Sequence, residues 1–223
     1  MQEQEYTLSQ LRNDKLQSFE LGQPIASLKS FFEQSNYSHA ALTEHGVFVG
    51  CVPNYVLTPY EGATSIEALL EEVEQFSVHE DAYWLEALEA TLRAEADIVP
   101  VLDADQRFLG YYLLEDLELF LARTPFLSEG GSVLVLSVQK EAYSLGQLTQ
   151  ILERNNARVL GVLQTADYGA RIEITVKLVS ESLQTLLSEL RRYDFSIEKA
   201  LNEDLFAEQL RERSAYFEKF LNL

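Results

Sequence analysis

The segment His39-Ala-Ala-Leu42, followed by Phe48-Val-Gly50, recurs as Val99-Pro-Val-Leu102, followed by Phe108-Leu-Gly110, at an offset of 60 residues. The same offset pairs Leu28 with Leu88 and Phe32 with Leu92. A repeat outranks local propensity as a constraint, because two like segments fold as like units that bury surface against each other. Each copy reads as an amphipathic helix, a short apolar strand, a polar turn and a second strand reaching Gly. The turns are Thr43-Glu-His-Gly46 and Asp103-Ala-Asp-Gln106, rich in turn formers. Leu114 to Leu121 supplies a helix that closes copy two. Between the copies, Ile66, Leu69, Leu70, Val73 and Phe76 share one helical face, with Glu67, Glu71, Glu72 and Glu74 mostly on the other. That acidic run reads as a solvated helix face rather than a cation site.

The pattern changes after Pro125. Residues 126–131, with Gly130 and Gly131, read as a linker. Val133 to Val138 is an apolar strand. Ser144 with Gln147 three residues later is a capping-box start for a helix whose stripe is Leu145, Leu148, Ile151 and Leu152, stopped at Asn155-Asn156. Val159 to Leu163, the turn Asp167-Tyr-Gly-Ala170 and the strict alternation of Ile172, Ile174, Val176 and Leu178 predict a hairpin with one wet face. A helix carrying Leu183, Leu186, Leu187 and Leu190 and a strand near Ser196 to Lys199 complete the ferredoxin-like order β-α-β-β-α-β. A last helix is expected from Asn202, with Glu203 and Asp204 in its first turn and a stripe of Phe206, Leu210, Phe217 and Leu221 that docks on its own domain or, as the alternative reading, binds a partner.

Charge narrows the partners. The net charge of −19 is divided unevenly: residues 1–125 carry 22 acidic and 6 basic side chains, residues 126–223 carry 14 and 11. The first half repels nucleic acid and anionic membrane, which are met by Lys and Arg. No apolar run approaches the roughly 18 residues of a membrane span. With no signal-peptide pattern after Met1 and with Cys51 as the single cysteine, a cytoplasmic setting is expected.

Catalytic constellations are scarce. No G-x-S-x-G, Walker A, G-x-G-x-x-G or H-E-x-x-H string occurs. His39, His45 and His79 are read as packing or surface residues, because lone Cys51 offers no zinc-ligand partner and no metal site is assigned. Trp84 beside Tyr83 is read as packing, with adenine stacking as the alternative. The chain is therefore expected not to be an enzyme.

The copies resemble a pair of cystathionine-β-synthase (CBS) motifs, most clearly in Val99-Pro-Val-Leu-Asp103, Phe108-Leu-Gly110 and Asp116. Residues 132–201 resemble an ACT-like regulatory domain, whose first helix opens at a Gly-containing loop, here Ser144-Leu-Gly146. The combination is similar to acetoin-utilisation B type bacterial proteins. The fold class is thus α/β (α+β). By this resemblance a tandem CBS pair is expected over residues 1–125, with repeats at about 16–60 and 76–124. The linker, the ACT-like domain and a C-terminal helix at 202–223 follow.

The resemblance implies a regulatory protein sensing a small ligand, often an adenosine nucleotide held between the paired motifs. Its site in copy two would be Val99, Pro100 and Val101 on one strand, Gly110 and Leu113 on the next, and Asp116 on the ribose hydroxyls. Leu113 stands where the family has Ser or Thr, and in copy one Pro53 and Val56 fill both polar positions. Only Arg12, Lys15, Lys29, Arg93, Arg107 and Arg123 are available to phosphates in residues 1–125. A weakly charged adenosyl compound such as AMP, or a cation-assisted nucleotide, is the implied ligand. Asp116 also has a plain reading as an acid favoured by the helix dipole. In the ACT-like domain an amino acid would lie at Tyr143, Ser144, Leu145 and Gly146, on N–H groups of the helix start. The other reading of Gly146 is a packing residue. The resemblance implies a homodimer acting on a regulated protein. Two alternatives stand beside this: a protein-interaction module whose ligand sites have decayed, and a divalent-cation sensor.

Overall fold

In the computed structural model, which describes residues 8–202, each copy of the repeat forms a three-stranded sheet with one principal helix. Copy one consists of β1 (Phe19–Glu20), α1 (Ile25–Ser35), β2 (His39–Glu44) and β3 (Val47–Pro53). Copy two consists of β4 (Val78–His79), α2 (Trp84–Arg93), β5 (Ile98–Leu102) and β6 (Phe108–Leu113). In both, the short first strand pairs parallel with the second, and the second pairs antiparallel with the third. Helix α1 buries Ile25, Leu28 and Phe32 and ends at Asn36, whose φ of 59° is a left-handed stop. Glu95 repeats that conformation, with φ 50°, after α2.

The structural register corrects the alignment of the copies. His39 pairs with Pro53 and Ile98 with Leu113, so the helices and the first two strands match at an offset of 59 and the third strands at 60. The extra residue falls in the turn of copy two. Accordingly α2 buries Ala87, Leu88 and Thr91, whereas Leu92, expected opposite Phe32, is 60% exposed. Different acids hold the two turns. Glu20 accepts the His45 and Gly46 N–H groups at 2.9 and 3.0 Å, while Asp103 accepts those of Asp105 and Arg107 at 2.9 and 2.8 Å.

Copy one ends in a single 3-10 turn, Asn54–Leu57, where copy two continues into α3 (Leu114–Arg123). The helix expected between the copies contracts to a 3-10 segment, Ile66–Glu72, with Ile66 and Leu69 buried and Leu70 exposed. From Val73 the chain is extended, because Gly50 on β3 admits it. Glu74 and Cys51 exchange backbone hydrogen bonds of 2.8 Å in both directions, and a Cβ on Gly50 would lie 2.0 Å from Val73 Cγ1. Gly110 does the same for the N-terminal segment, which bridges at Asn13 and Tyr111. The glycine of the repeat thus marks a close backbone approach.

Each copy has its own apolar core, and a third cluster joins them: Ala41 from one, Ile98, Tyr111 and Leu113 from the other. Tyr111 is wholly buried, and its hydroxyl accepts the Ala41 N–H at 2.8 Å and donates to Gln17 O at 3.3 Å. Trp84 stacks on Phe120 at 6.1 Å, within the core of copy two.

The chain divides between Ala122 and Arg123 into two compact units. The segment expected as a linker holds a short helix, α4 (Pro125–Ser128), with Pro at its first position. Phe126 lies on Gly161, where a Cβ would come within 2.5 Å of the ring. The second unit continues with β7 (Ser132–Gln139), α5 (Leu145–Arg154), β8 (Arg158–Asp167), β9 (Arg171–Val179), α6 (Leu183–Arg192) and β10 (Ser196–Asn202). The sheet order is β10-β7-β9-β8 with every pair antiparallel, the ferredoxin-like arrangement. Leu148, Ile151 and Leu152 of α5 and the four leucines of α6 share one core with Leu134, Leu136 and the inward residues of β9. Asn202 ends β10 rather than starting a helix, and the expected stripe from Phe206 to Leu221 lies outside the described residues. Among the described residues, no helix is long and apolar enough to cross a membrane.

Candidate functional site

The residues expected to bind ligand in copy two are placed largely in the core. Val99, Pro100 and Val101 are buried on β5, and Gly110 is buried against Arg12 to Asp14. Leu113, 6% exposed, belongs to the cluster between the copies. Asp116 is half-buried in the first turn of α3. Burial first, and then the nearby carboxylates Glu115, Asp97 and Asp116, push the Tyr37 phenol above its usual pKa. An anion entering there would meet three acids.

A cavity of about 700 Å3 opens instead at copy one. Ser38 and His39 at the start of β2 and Asn54, Tyr55 and Thr58 at the end of β3 form one wall. Arg93, Ala94 and Glu95 at the C-terminal end of α2 form the other, with Glu74 between them. The helix end and the two acids make this an electronegative space. Its one basic side chain, Arg93, is paired with Glu89.

A partly buried hydrogen-bond chain organises the cavity. Asp97 accepts the Ser38 N–H at 3.0 Å and its hydroxyl proton at 2.7 Å, while Ser38 Oγ accepts the Asp97 N–H at 3.1 Å. Ser38 Oγ also lies 2.8 Å from His39 Nδ1. A hydroxyl has one proton, and here the carboxylate takes it. With that proton directed to Asp97, Nδ1 is the donor to Ser38 Oγ; in the neutral ring Nε2 is then the acceptor, and in the protonated ring it donates toward Glu74. Nε2 faces Glu74 Oε2 at 3.4 Å as an ion-pair contact and, among the described residues, has no hydrogen-bond partner. Glu74 is fixed at this spot by its backbone bridge to Cys51, and Tyr55 donates its phenol proton to Glu74 Oε1 at 3.3 Å. Burial holds the His39 pKa below its usual value against the opposing pull of Glu74. The same burial, with Glu74 nearby, raises the Cys51 thiol and keeps it protonated. The order Asp97–Ser38–His39 does not activate a nucleophile, since the Ser38 proton is held by a carboxylate and not by the imidazole.

Sequence reading set His39 aside as a packing residue. The available signal was an ionisable side chain on a strand of five buried residues, where a polar group needs a partner. His79 and His45 are peripheral: the first accepts the Asp81 N–H, and the second sits in a turn at φ 53°. Among the described residues, no three His, Cys, Asp or Glu side chains converge as a metal site.

In the second unit Ser144 caps α5, accepting the Gln147 N–H at 3.3 Å. Tyr143 packs on the core and Leu145 is half-exposed. A Cβ on Gly146 would meet nothing nearer than Ser144 Oγ at 3.7 Å, so close packing does not account for that glycine. A cavity of about 620 Å3 lies beside this loop, lined by Gln139, Ala142, Arg171, Arg191, Asp194 and Ser196 among others. Arg171 is held there by the hydroxyls of Ser137 and Ser196 at 2.9 and 3.1 Å.

No protein-family model and no curated protein matches the chain. Among solved structures, it is similar to a CBS domain pair/ACT domain protein from Thermotoga maritima: 20% identity, TM-score 0.47, covering 52% of this chain and 96% of that one. The CBS domains of a transcriptional regulator from Streptococcus pneumoniae match at 16% identity and TM-score 0.46, over 51% of this chain and 97% of theirs. CBSX2 in complex with AMP matches at 12% identity and TM-score 0.41, over 53% and 97%.

Proposed function

We propose that the first unit is a tandem CBS pair that binds a small ligand in the copy-one cavity, within a non-enzymatic regulatory protein. The observation that carries this reading is the origin of the cavity walls: β2 and β3 of one copy and the end of α2 of the other. A ligand held between two copies favours one arrangement of them, and so regulates through its differential affinity for the two states. The acids Glu74 and Glu95, with Arg93 already paired, favour a ligand of low negative charge, such as AMP or an adenosyl compound, over a nucleoside triphosphate. The ferredoxin-like unit is an ACT-like domain in this reading, with β8 as a sheet edge open to a second copy in a homodimer. A CBS pair followed by an ACT-like domain is the order of acetoin-utilisation B type proteins, the class of regulator proposed.

A thermal-shift series with AMP, ATP, S-adenosylmethionine and amino acids, with and without Mg2+, tests it. The melting temperature rises with the weakly charged adenosyl compounds and less with ATP, because a ligand stabilises the state that binds it. If millimolar concentrations of every compound leave the melting temperature unmoved, the sensor reading is lost.

A further inference from the structure

The second unit holds a half-buried cation, Arg171, tied down by neutral groups alone. Arg171 opens β9 and lies on the sheet face opposite α5 and α6, since Ile172 and the alternate residues after it enter the core. Its guanidinium reaches across β7 to β10: Nε donates to Ser137 Oγ at 2.9 Å and Nη2 to Ser196 Oγ at 3.1 Å. Gln139 stands opposite Arg171 in the strand register. With its amide nitrogen donating to Ala170 O at 2.9 Å, its oxygen accepts from Arg171 Nη1 at 3.3 Å. These partners fix the guanidinium and leave one N–H on each terminal nitrogen without a protein acceptor among the described residues. Among the described residues no carboxylate pairs with Arg171, whereas Arg158 on the neighbouring β8 pairs with Glu129.

The cavity of about 620 Å3 beside Arg171 carries a second cation, Arg191 in the last turn of α6, and Asp194 is the one acid among its described lining residues. Two arginines against one aspartate reverse locally the charge of a chain at −19. We propose that this cavity binds the carboxylate of a small monocarboxylic acid on the two remaining N–H groups of Arg171. A pre-set guanidinium fork matches the two oxygens of a carboxylate, and such charge-assisted bonds are stronger than bonds to neutral oxygens. The exposed Ser196 hydroxyl beside it has its own proton to give. Asp194 and the C-terminal end of α6 disfavour a second negative charge, which selects a monocarboxylate over a phosphate dianion. Arg191 also offsets that helix end, so the larger share of the binding falls to Arg171. Ala142 and Ile197 border the space with apolar surface suited to a short carbon chain. None of Tyr143, Ser144, Leu145 and Gly146 lines this site, and it stands or falls independently of the copy-one cavity.

Titration of the full chain with propionate, alanine, inorganic phosphate and chloride, followed through the backbone amide resonances of Arg171 and Ser196, tests it. Propionate at millimolar concentrations gives saturable shifts at both residues. Arg171→Gln weakens that binding by about tenfold or more, the loss of a charge-assisted contact. Arg191→Gln, on an exposed helix surface, weakens it by about threefold, as the loss of a solvent-screened charge. Arg171 also ties β10 to β7, so Arg191→Gln decides the matter if Arg171→Gln fails to fold. The absence of saturable shifts with propionate overturns the inference, and so does an affinity that neither substitution lowers. Phosphate or chloride binding as tightly as propionate makes this a general anion patch and overturns it. Binding of alanine without propionate overturns it as well, because recognition then requires an ammonium group.

Discussion

The two copies of the repeat share a backbone down to the left-handed residues Asn36 and Glu95, yet differ where chemistry is concerned. Copy one places His39 where copy two has Ile98, Asn54 where copy two has Leu114, and Glu74 where copy two has Asn13. Copy two carries the better match to the CBS motif, including Pro100 and Asp116, but its matching strand residues are buried. Copy one, degenerate at Pro53 and Val56, holds the cavity and the imidazole whose Nε2 faces Glu74. The two copies share a scaffold, and the cavity-lining polar groups of its strands belong to copy one.

The largest expected effect breaks the scaffold at its shared point. Gly50→Ala would drive a Cβ to 2.0 Å from Val73 Cγ1 and 3.0 Å from Glu74 O, at a φ of 152° that side chains rarely adopt. Overpacking plus backbone strain costs roughly 3 kcal/mol, seen as a lowered urea midpoint. Gly110→Ala brings its Cβ to 2.8 Å from Asn13 O and also destabilises. Only Gly50→Ala displaces Glu74, so only it should also abolish ligand binding. Equal losses in the two variants would mean the copies are functionally equivalent.

Asp97→Ala tests the asymmetry from the other copy. It strips Ser38 of the acceptor for its N–H and its hydroxyl, at a cost of about 2 kcal/mol. The freed hydroxyl proton can then turn to His39 Nδ1, making Nε2 the protonated nitrogen and Glu74 its partner. Nitrogen chemical shifts of His39 report that change of tautomer, and an unchanged pattern would refute the proton count given above.

A smaller effect should appear with pH. Burial depresses the folded pKa of His39 below the ordinary 6.5, so the unfolded chain binds a proton that the folded chain resists. The contribution of His39 is therefore fully present above about pH 6.5 and is lost as pH falls from there through the folded value. The charged groups facing the ring are Glu74 directly and Asp97 through Ser38, and both oppose the depression without reversing it. Denaturant midpoints between pH 7 and 5 should fall in the native chain, and His39→Phe should flatten that slope. A slope unchanged by the substitution would assign it to other groups.

How far this comparison was legible in the sequence depended on the kind of signal. The repeat, the ferredoxin-like order and the caps at Ser144 and Asn155 are periodic or local, and they appear in the structure. The one-residue slip was hidden because Leu88 and Leu92 mimic the apolar spacing of Leu28 and Phe32, and burial alone separates them. The extended run at Val73 to Gln75 was read as helix, because the condition for it lies on Gly50, more than twenty residues earlier. The pairing of His39 with Glu74 had no sequence spacing to reveal it. It depends on a backbone bridge to Cys51 and on a proton committed to Asp97 in the other copy.

The smallest effect is the most discriminating. Asp116 sits in the first turn of α3, where the helix dipole favours an acid by about 0.3–1 kcal/mol. Glu115 and Asp97 also act on the neighbouring Tyr37, so repulsion among the three acids offsets that gain. Asp116→Ala should change stability by no more than about 0.5 kcal/mol. It should also lower the Tyr37 phenol pKa, which an ultraviolet titration follows, because one of the nearby carboxylates disappears. Ligand affinity should be unaffected, since Asp116 does not line the copy-one cavity. If Asp116→Ala abolishes binding while Glu74→Gln does not, the ligand occupies copy two through the motif acid. The polarity of copy one would then be structural, and the division of labour between the copies would run the other way.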